Sequence, residues 1–273
     1  MAPIWEFYAP VQASRWSETG ADCAAFAANL EGAYRRIGSE PLMSHRLAVA
    51  FAFLMVPLAA APIRAQSPVV ADAALKAPEI IAFIGLKPGD RLADVVGGKL
   101  TPALAHAVGP KGKVYSLETA EYAKVHPDAL LAMQALAAAS PNVVVSADPV
   151  MAPLPAKLDA VFIRQNYHDL YDAFMGPADV PAFNRAVFAA LKPGGVYVVL
   201  DHAAAAGAPM TVTQTLHRID PARVKADVLA AGFTLDGESA VLANPADDHS
   251  LRVFDPTIRG HSDQFLLRFR KPG

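Results

Sequence analysis

The chain has 273 residues, 53% of them hydrophobic and 18% charged, with a formal net charge of −2. That length accommodates one large α/β domain plus an extension, and the near-neutral balance without a basic run argues against a nucleic-acid footprint. A single cysteine, Cys23, excludes an internal disulfide framework and any metal cluster built from several thiolates.

Residues 1–42 carry both tryptophans, Trp5 and Trp16, and a candidate amphipathic helix near 21–37, but no strand pattern and no motif. Residues 43–66 read differently. Met43-Ser-His-Arg46 is a short basic head, and 47–63 is an uncharged apolar run broken by Pro57 and Pro62. Ile63-Arg64-Ala65 before Gln66 resembles a signal-peptidase site. A membrane-spanning helix needs about 20 apolar residues, so this run is slightly short. The expectation is a secretory signal beginning at Met43, with 1–42 an extension created by the choice of start residue. An uncleaved anchor and a packed apolar helix are the alternatives. Cleavage makes the mature protein periplasmic or exported; without it the protein is cytoplasmic or membrane-anchored. Residues 67–273 form the folded domain.

From residue 67 onward, helix and strand patterns alternate. Residues 70–86 read as a helix with Leu75, Ile80, Ile81 and Ile84 on its apolar side, and 86–90 as a turn. Residues 90–118 then read as strand, glycine turn, helix, loop and strand. The first strand, 91–96, stops at Gly97-Gly98. Thr101 is the expected N-cap and Pro102 the first helical residue. Gly109-Pro110 ends that helix, and 113–117 is the next strand, with Glu118 at its carboxyl end. This is half of a nucleotide-binding βαβ unit: the glycines let backbone approach a ligand, the helix start offers free N–H groups, and the acid can grip a ribose diol. An ordinary α/β crossover with a glycine turn has the same outline.

Residues 127–139 read as a helix, 143–146 as a third strand followed by Asp148, and 158–164 as a fourth running into Gln165-Asn-Tyr-His-Asp169. A helix over 180–191 leads through Lys192-Pro-Gly-Gly195 into a fifth strand, 196–200, ending at Asp201-His202. Asp220-Pro221 caps a further helix, and 233–241 and 264–270 are two closing strands. Alternation of this kind implies a mostly parallel sheet covered on both faces, with the last two strands an antiparallel pair at one edge.

The order of these features resembles the class I S-adenosylmethionine-dependent methyltransferases over roughly residues 70–270. The most specific element is Leu191-Lys-Pro-Gly-Gly195 running into an apolar strand. Val108-Gly-Pro-Lys-Gly-Lys-Val-Tyr115, Gln165-Asn-Tyr-His-Asp-Leu170, Ala230-Ala-Gly-Phe233 and Asp255-Pro with Gly260-His-Ser-Asp-Gln-Phe265 resemble, more narrowly, a group of poorly characterised bacterial methyltransferases that often carry export signals. The resemblance implies a Rossmann-like seven-stranded sheet of order 3-2-1-4-5-7-6 with strand 7 antiparallel, S-adenosyl-L-methionine as cofactor and a small-molecule methyl acceptor. It also implies site roles. Asp94 orders the glycine loop, Gly97 and Gly98 pass the methionine part of the cofactor, Glu118 accepts the ribose hydroxyls and Asp148 the adenine amino group. Asn166, Tyr167, His168 and Asp169 face the methyl group and acceptor. The loop from Asp94 to Thr101 is about two residues shorter than the family's usual three-glycine form.

Methyl transfer is an in-line displacement, and a base is needed only for a protonated acceptor. His168, oriented by Asp169, and His202 are the candidate bases; loop or helix capping is the structural alternative for His168, and sheet packing for Tyr167. Arg218 could hold an anion or form a surface ion pair. Asp247-Asp248-His249 and His261-Ser-Asp263 match no metal-ligand spacing, so no metal is assigned. Two further functions stay open: a non-catalytic periplasmic binding or scaffold protein with a degenerate cofactor loop, since the cofactor is made in the cytoplasm, and a nicotinamide-dependent oxidoreductase, against which the missing G-x-G-x-x-G counts.

Overall fold

A computed structural model describes residues 76–176 and 178–273. The N-terminal extension, the export-like segment and the start of the 70–86 helix lie outside the described residues. Seven strands form one sheet: β1 (Arg91–Val95), β2 (Lys113–Leu117), β3 (Val143–Ser146), β4 (Leu158–Arg164), β5 (Leu191–His202), β6 (Thr234–Ser239) and β7 (Gln264–Arg270). Their order is β3-β2-β1-β4-β5-β7-β6. β1 pairs in parallel with β2 and β4, as β2 does with β3 and β4 with β5, whereas β7 runs antiparallel to β5 and β6. Order and direction match those implied by the sequence resemblance.

The helices are α1 (Ala77–Ile84), α2 (Thr101–Val108), α3 (Ala120–Val125), α4 (Pro127–Ala139), α5 (Val180–Ala190), α6 (Val212–Leu216) and α7 (Pro221–Ala230). Side chains alternate across a strand, so each central strand feeds two cores. Leu92, Phe162 and Val198 pack with Ile80, Ile84, Leu104 and Val108 of α1 and α2. Ala93, Val161, Tyr197 and Val199 pack on the other face with Phe183, Val187, Val224 and Val228 of α5 and α7. Coverage on both sides explains why these strands read as continuous apolar runs rather than alternating ones.

Several boundaries differ from the sequence expectation. The fifth strand begins at Leu191, before the Lys-Pro-Gly-Gly turn. Leu158 pairs with Leu191 and Ala160 with Val196, so residues 192–195 loop out opposite Asp159 alone. Gly194 takes φ +76° there, and Lys271 closes the loop by pairing with Gly194 and Gly195. α1 ends at Gly85, whose left-handed backbone returns its N–H to the Ile81 carbonyl. Thr101 is the first residue of α2 rather than its N-cap: Leu100 stands at the cap position without a side-chain cap, and the Thr101 hydroxyl donates to Asp94. β6 is shorter than 233–241, since Phe233 turns into the core. Asp220 caps α7 as expected, accepting from Ala222 N–H at 2.8 Å with Pro221 at the first helical position.

Candidate functional site

Parallel strands all end on one edge of the sheet, and ligands of open α/β folds lie beyond that edge. β1 ends at Val95, and Val96 then adopts φ +53°, a left-handed backbone rare for a β-branched residue. Its N–H remains tied to the Leu117 carbonyl at 3.0 Å, so the strained turn stays docked on β2. Gly97 follows. A Cβ there would overlap the Ser116 hydroxyl oxygen and lie 2.8 Å from Glu118 Oε1, so this approach is open only to glycine. Beside Gly98, by contrast, a Cβ meets nothing within 4 Å.

Asp94 is buried and accepts the Thr101 hydroxyl at 2.6 Å, while Thr101 Oγ1 accepts the Gly98 N–H at 2.9 Å. The acid therefore ties the glycine loop to the first turn of α2. Burial lifts the Asp94 carboxyl to about 6, against the pull of Thr101 and Arg164.

Glu118 is 1% exposed. Its Oε1 accepts the Ser116 hydroxyl at 2.9 Å. Its Oε2 is buried with no partner among the described residues. Burial pushes this carboxyl from 4.5 up to about 7; the Ser116 hydrogen bond opposes the shift and the Asp94 charge adds to it. The same carboxylate lines a narrow cleft of about 40 Å³ with Leu117, Thr119, Asp148, Pro149 and Val150. Asp148 is exposed at this cleft and is held through its carbonyl, which accepts from Ala120 N–H at 2.9 Å. Asp94, Gly97, Gly98, Glu118 and Asp148 thus converge on the ends of β1, β2 and β3.

The segment after β4 forms a second group. Tyr167 is fully buried in the core, with its hydroxyl accepting from Asn184 Nδ2 at 2.8 Å, and it does not line the cleft. Asn166 donates to Asp169 Oδ2 at 2.7 Å. His168 is 2% exposed, with Nδ1 2.8 Å from Asp201 Oδ1 and Nε2 3.2 Å from Asp169 Oδ1. Burial opposes charge on this ring, but Asp201 and Asp169 outweigh it and hold the pKa well above the usual histidine value. His202 behaves oppositely. Burial carries it down to about 3, with Asp201 opposing and the nearby positive groups reinforcing, and its Nδ1 lies 2.8 Å from Ser262 Oγ. The acidic neighbours thus favour the charged form of His168, whereas burial favours the neutral form of His202.

Arg218 is fully buried rather than at the surface. It forms a two-pronged pair with Asp247 at 3.0 and 2.8 Å and donates to the Leu251 and Ala203 carbonyls. Its guanidinium is consumed by the fold and is not offered to an anion. His249 pairs with Asp263 at 2.9 Å.

Two residues at this edge escaped the sequence reading. Arg164 ends β4 half-buried, beside the Asp94 and Asp201 charges, with no ion pair or hydrogen bond among the described residues. Its signal was present: a lone cation closing the apolar run 160–163 of a parallel strand. His217 lies 3.2 Å from His168 through their ring nitrogens. No local pattern announces it, because α5, β5 and α6 separate it from His168 in the chain.

No known family signature matches the chain, and no curated protein matches it. Solved structures do. A SAM-dependent methyltransferase from Aquifex aeolicus aligns at 19% identity and a TM-score of 0.50, over 71% of this chain and 89% of that one. The [4+2]-cyclase SpnF aligns at 19% identity and a TM-score of 0.51, over 73% of this chain and 80% of that one. At such identities the likeness is one of fold, that of the class I methyltransferases. One of the two is named as a cyclase, so the fold does not by itself specify the reaction.

Proposed function

We propose that this protein is an S-adenosyl-L-methionine-dependent methyltransferase acting on a small molecule. The observation that carries the reading is Glu118, which lines a cleft at the end of β2 and whose buried Oε2 has no hydrogen-bond partner among the described residues. An unsatisfied buried acceptor costs roughly 1–3 kcal/mol, and a ligand hydroxyl delivered there removes that cost. The bare backbone of Gly97 and Gly98 beside it, held by Asp94 through Thr101, suits a ligand that approaches main chain closely. Asp148 offers a further acceptor at the same cleft.

The bound cofactor supplies a sulfonium-activated methyl group with a good leaving group, which leaves the protein mainly the work of alignment. In this reading Glu118 and Asp148 hold the nucleoside end, and Arg164 offers positive charge near the glycine loop. The acceptor lies beyond β4 and β5, beside Asn166, His168, Asp169 and His202. With charge favoured on His168 and His202 depressed to about 3, the arrangement favours an acceptor that is already nucleophilic near neutral pH.

A second reading is a non-catalytic protein on the same fold. The observation favouring it is the narrowness of the cleft, where the Ser116 and Glu118 side chains fill the space against Gly97. A screen for S-adenosylhomocysteine release against pooled metabolites separates the two. Release dependent on one pool supports transfer; binding of cofactor without release from any pool supports the non-catalytic reading.

A further inference from the structure

We propose that His168, Asp169 and His217 form a binding site for a divalent first-row transition ion, with the remaining coordination positions open to water or to an oxygen of the substrate. The inference does not depend on the cofactor reading, since none of the three residues touches the Glu118 cleft.

The geometry is that of a ligand shell. His168 Nε2 lies 3.2 Å from Asp169 Oδ1 and 3.2 Å from His217 Nδ1, and His217 Nδ1 lies 4.0 Å from Asp169 Oδ1. Ligand atoms at zinc–nitrogen and zinc–oxygen distances stand about 3.3–3.5 Å apart in a tetrahedral shell, which these separations bracket. Two imidazoles and one carboxylate form a donor set that suits zinc, iron, nickel or copper rather than calcium or magnesium.

Two of the three ligands are already oriented from behind. Asp201 accepts His168 Nδ1–H at 2.8 Å, which turns Nε2 into the cluster. Asn166 donates to Asp169 Oδ2 at 2.7 Å and leaves Oδ1 facing the two rings. Partners of this type commonly fix tautomer and direction at metal centres. His217 is set at the end of α6 with φ +53°, a strained backbone for a residue other than glycine. The surroundings favour a cation as well. Asp169, Asp172 and Asp201 all act on His168, and Asp172 keeps Oδ1 buried without a partner among the described residues. Access runs past His217, whose side chain is 20% exposed against 2% for His168 and 6% for Asp169.

Two features oppose the ion. Asp201 and Asp169 favour the charged ring of His168, whose Nε2 proton must leave before that nitrogen can ligate. Arg252 lies 2.9 Å from His217 Nε2, and a guanidinium can only donate there, so the ring proton sits on Nδ1. Binding requires that proton to move to Nε2 and Arg252 to swing away. Arg252 is exposed and otherwise rests on the Phe254 ring at 5.2 Å. Arg252 is therefore an antagonist of the site, which gives the test a direction that a purely structural cluster would not show.

The full chain, stripped with a chelator and titrated with Zn²⁺ against a chromophoric competitor, is expected to take up one equivalent. His217→Ala is expected to weaken that uptake more than about 10-fold, because changes one shell further out already cost 10–100-fold. Arg252→Gln is expected to bind at least as tightly as the parent. Absence of uptake, uptake unchanged in His217→Ala, or uptake lost in a folded Arg252→Gln would each overturn the site. Should His217→Ala not fold, Asn166→Ala decides: weakened uptake supports the site, and unchanged uptake overturns it.

Discussion

Glu118 owes its role to two neighbours. Ser116 occupies one oxygen, Gly97 leaves room for the carboxylate, and the other oxygen is buried without a partner among the described residues. Its pKa, raised by burial from 4.5 to about 7, sets a pH signature. The native state keeps a proton between those two values that the unfolded chain has lost, so stability falls as pH rises across that window. Glu118→Gln should flatten that slope in urea titrations run from pH 4 to 8. A ribose diol needs the ionised acceptor, so S-adenosylmethionine affinity should rise with pH through about 7 in the parent. In Glu118→Gln it should be weaker by roughly 1–3 kcal/mol and indifferent to pH over that range. The residue was legible in sequence, because an acid at the end of a parallel strand is a local pattern. Its altered titration was not, because that arises from burial against Gly97 and Ser116 across the β1–β2 junction.

At the scale of elements, the glycine loop and the β5 edge make different demands. Gly97→Ala forces the Ser116 and Glu118 side chains aside, and overpacking of this kind costs about 1–3 kcal/mol. Gly98→Ala meets open space and should stay within about 0.5 kcal/mol of the parent. Denaturant midpoints of the two variants check this; equal losses would mean that the loop does not rest on Ser116 and Glu118. Beyond β5, Arg218 ties the Ala203 and Leu251 carbonyls to Asp247. Asp247→Ala strands a buried guanidinium and should cost about 3–5 kcal/mol by urea unfolding, whereas a loss below 1 would assign that energy elsewhere. The glycine loop could be read from its residues. The Arg218 pair and the His168–His217 contact could not, since both depend on how the short α6 and the irregular 240–263 segment fold back over the strand ends. α6 itself has only five residues and offers no periodicity to detect.

The whole molecule was legible to the extent that its strands are apolar, short and separated by recognisable turns. Lys192-Pro-Gly-Gly195 marked the entry to β5 even though the strand pairing begins before it. The helix-free connection between the last strands foretold the antiparallel β7. What could not be read was the width of the cleft, which depends on side chains from β1, β2 and the segment after β3 meeting in space. The N-terminal reading is tested separately. Peptide sequencing of the mature protein should find Gln66 or Ser67 first, and an intact Met1 would end the cleavage proposal. The central claim is that the cleft at Glu118 receives S-adenosyl-L-methionine, and calorimetric titration of the intact protein with that cofactor and with S-adenosylhomocysteine tests it most directly. Saturable heat for both, weakened in Glu118→Gln, is the predicted result; no heat and no thermal shift at millimolar ligand would contradict it.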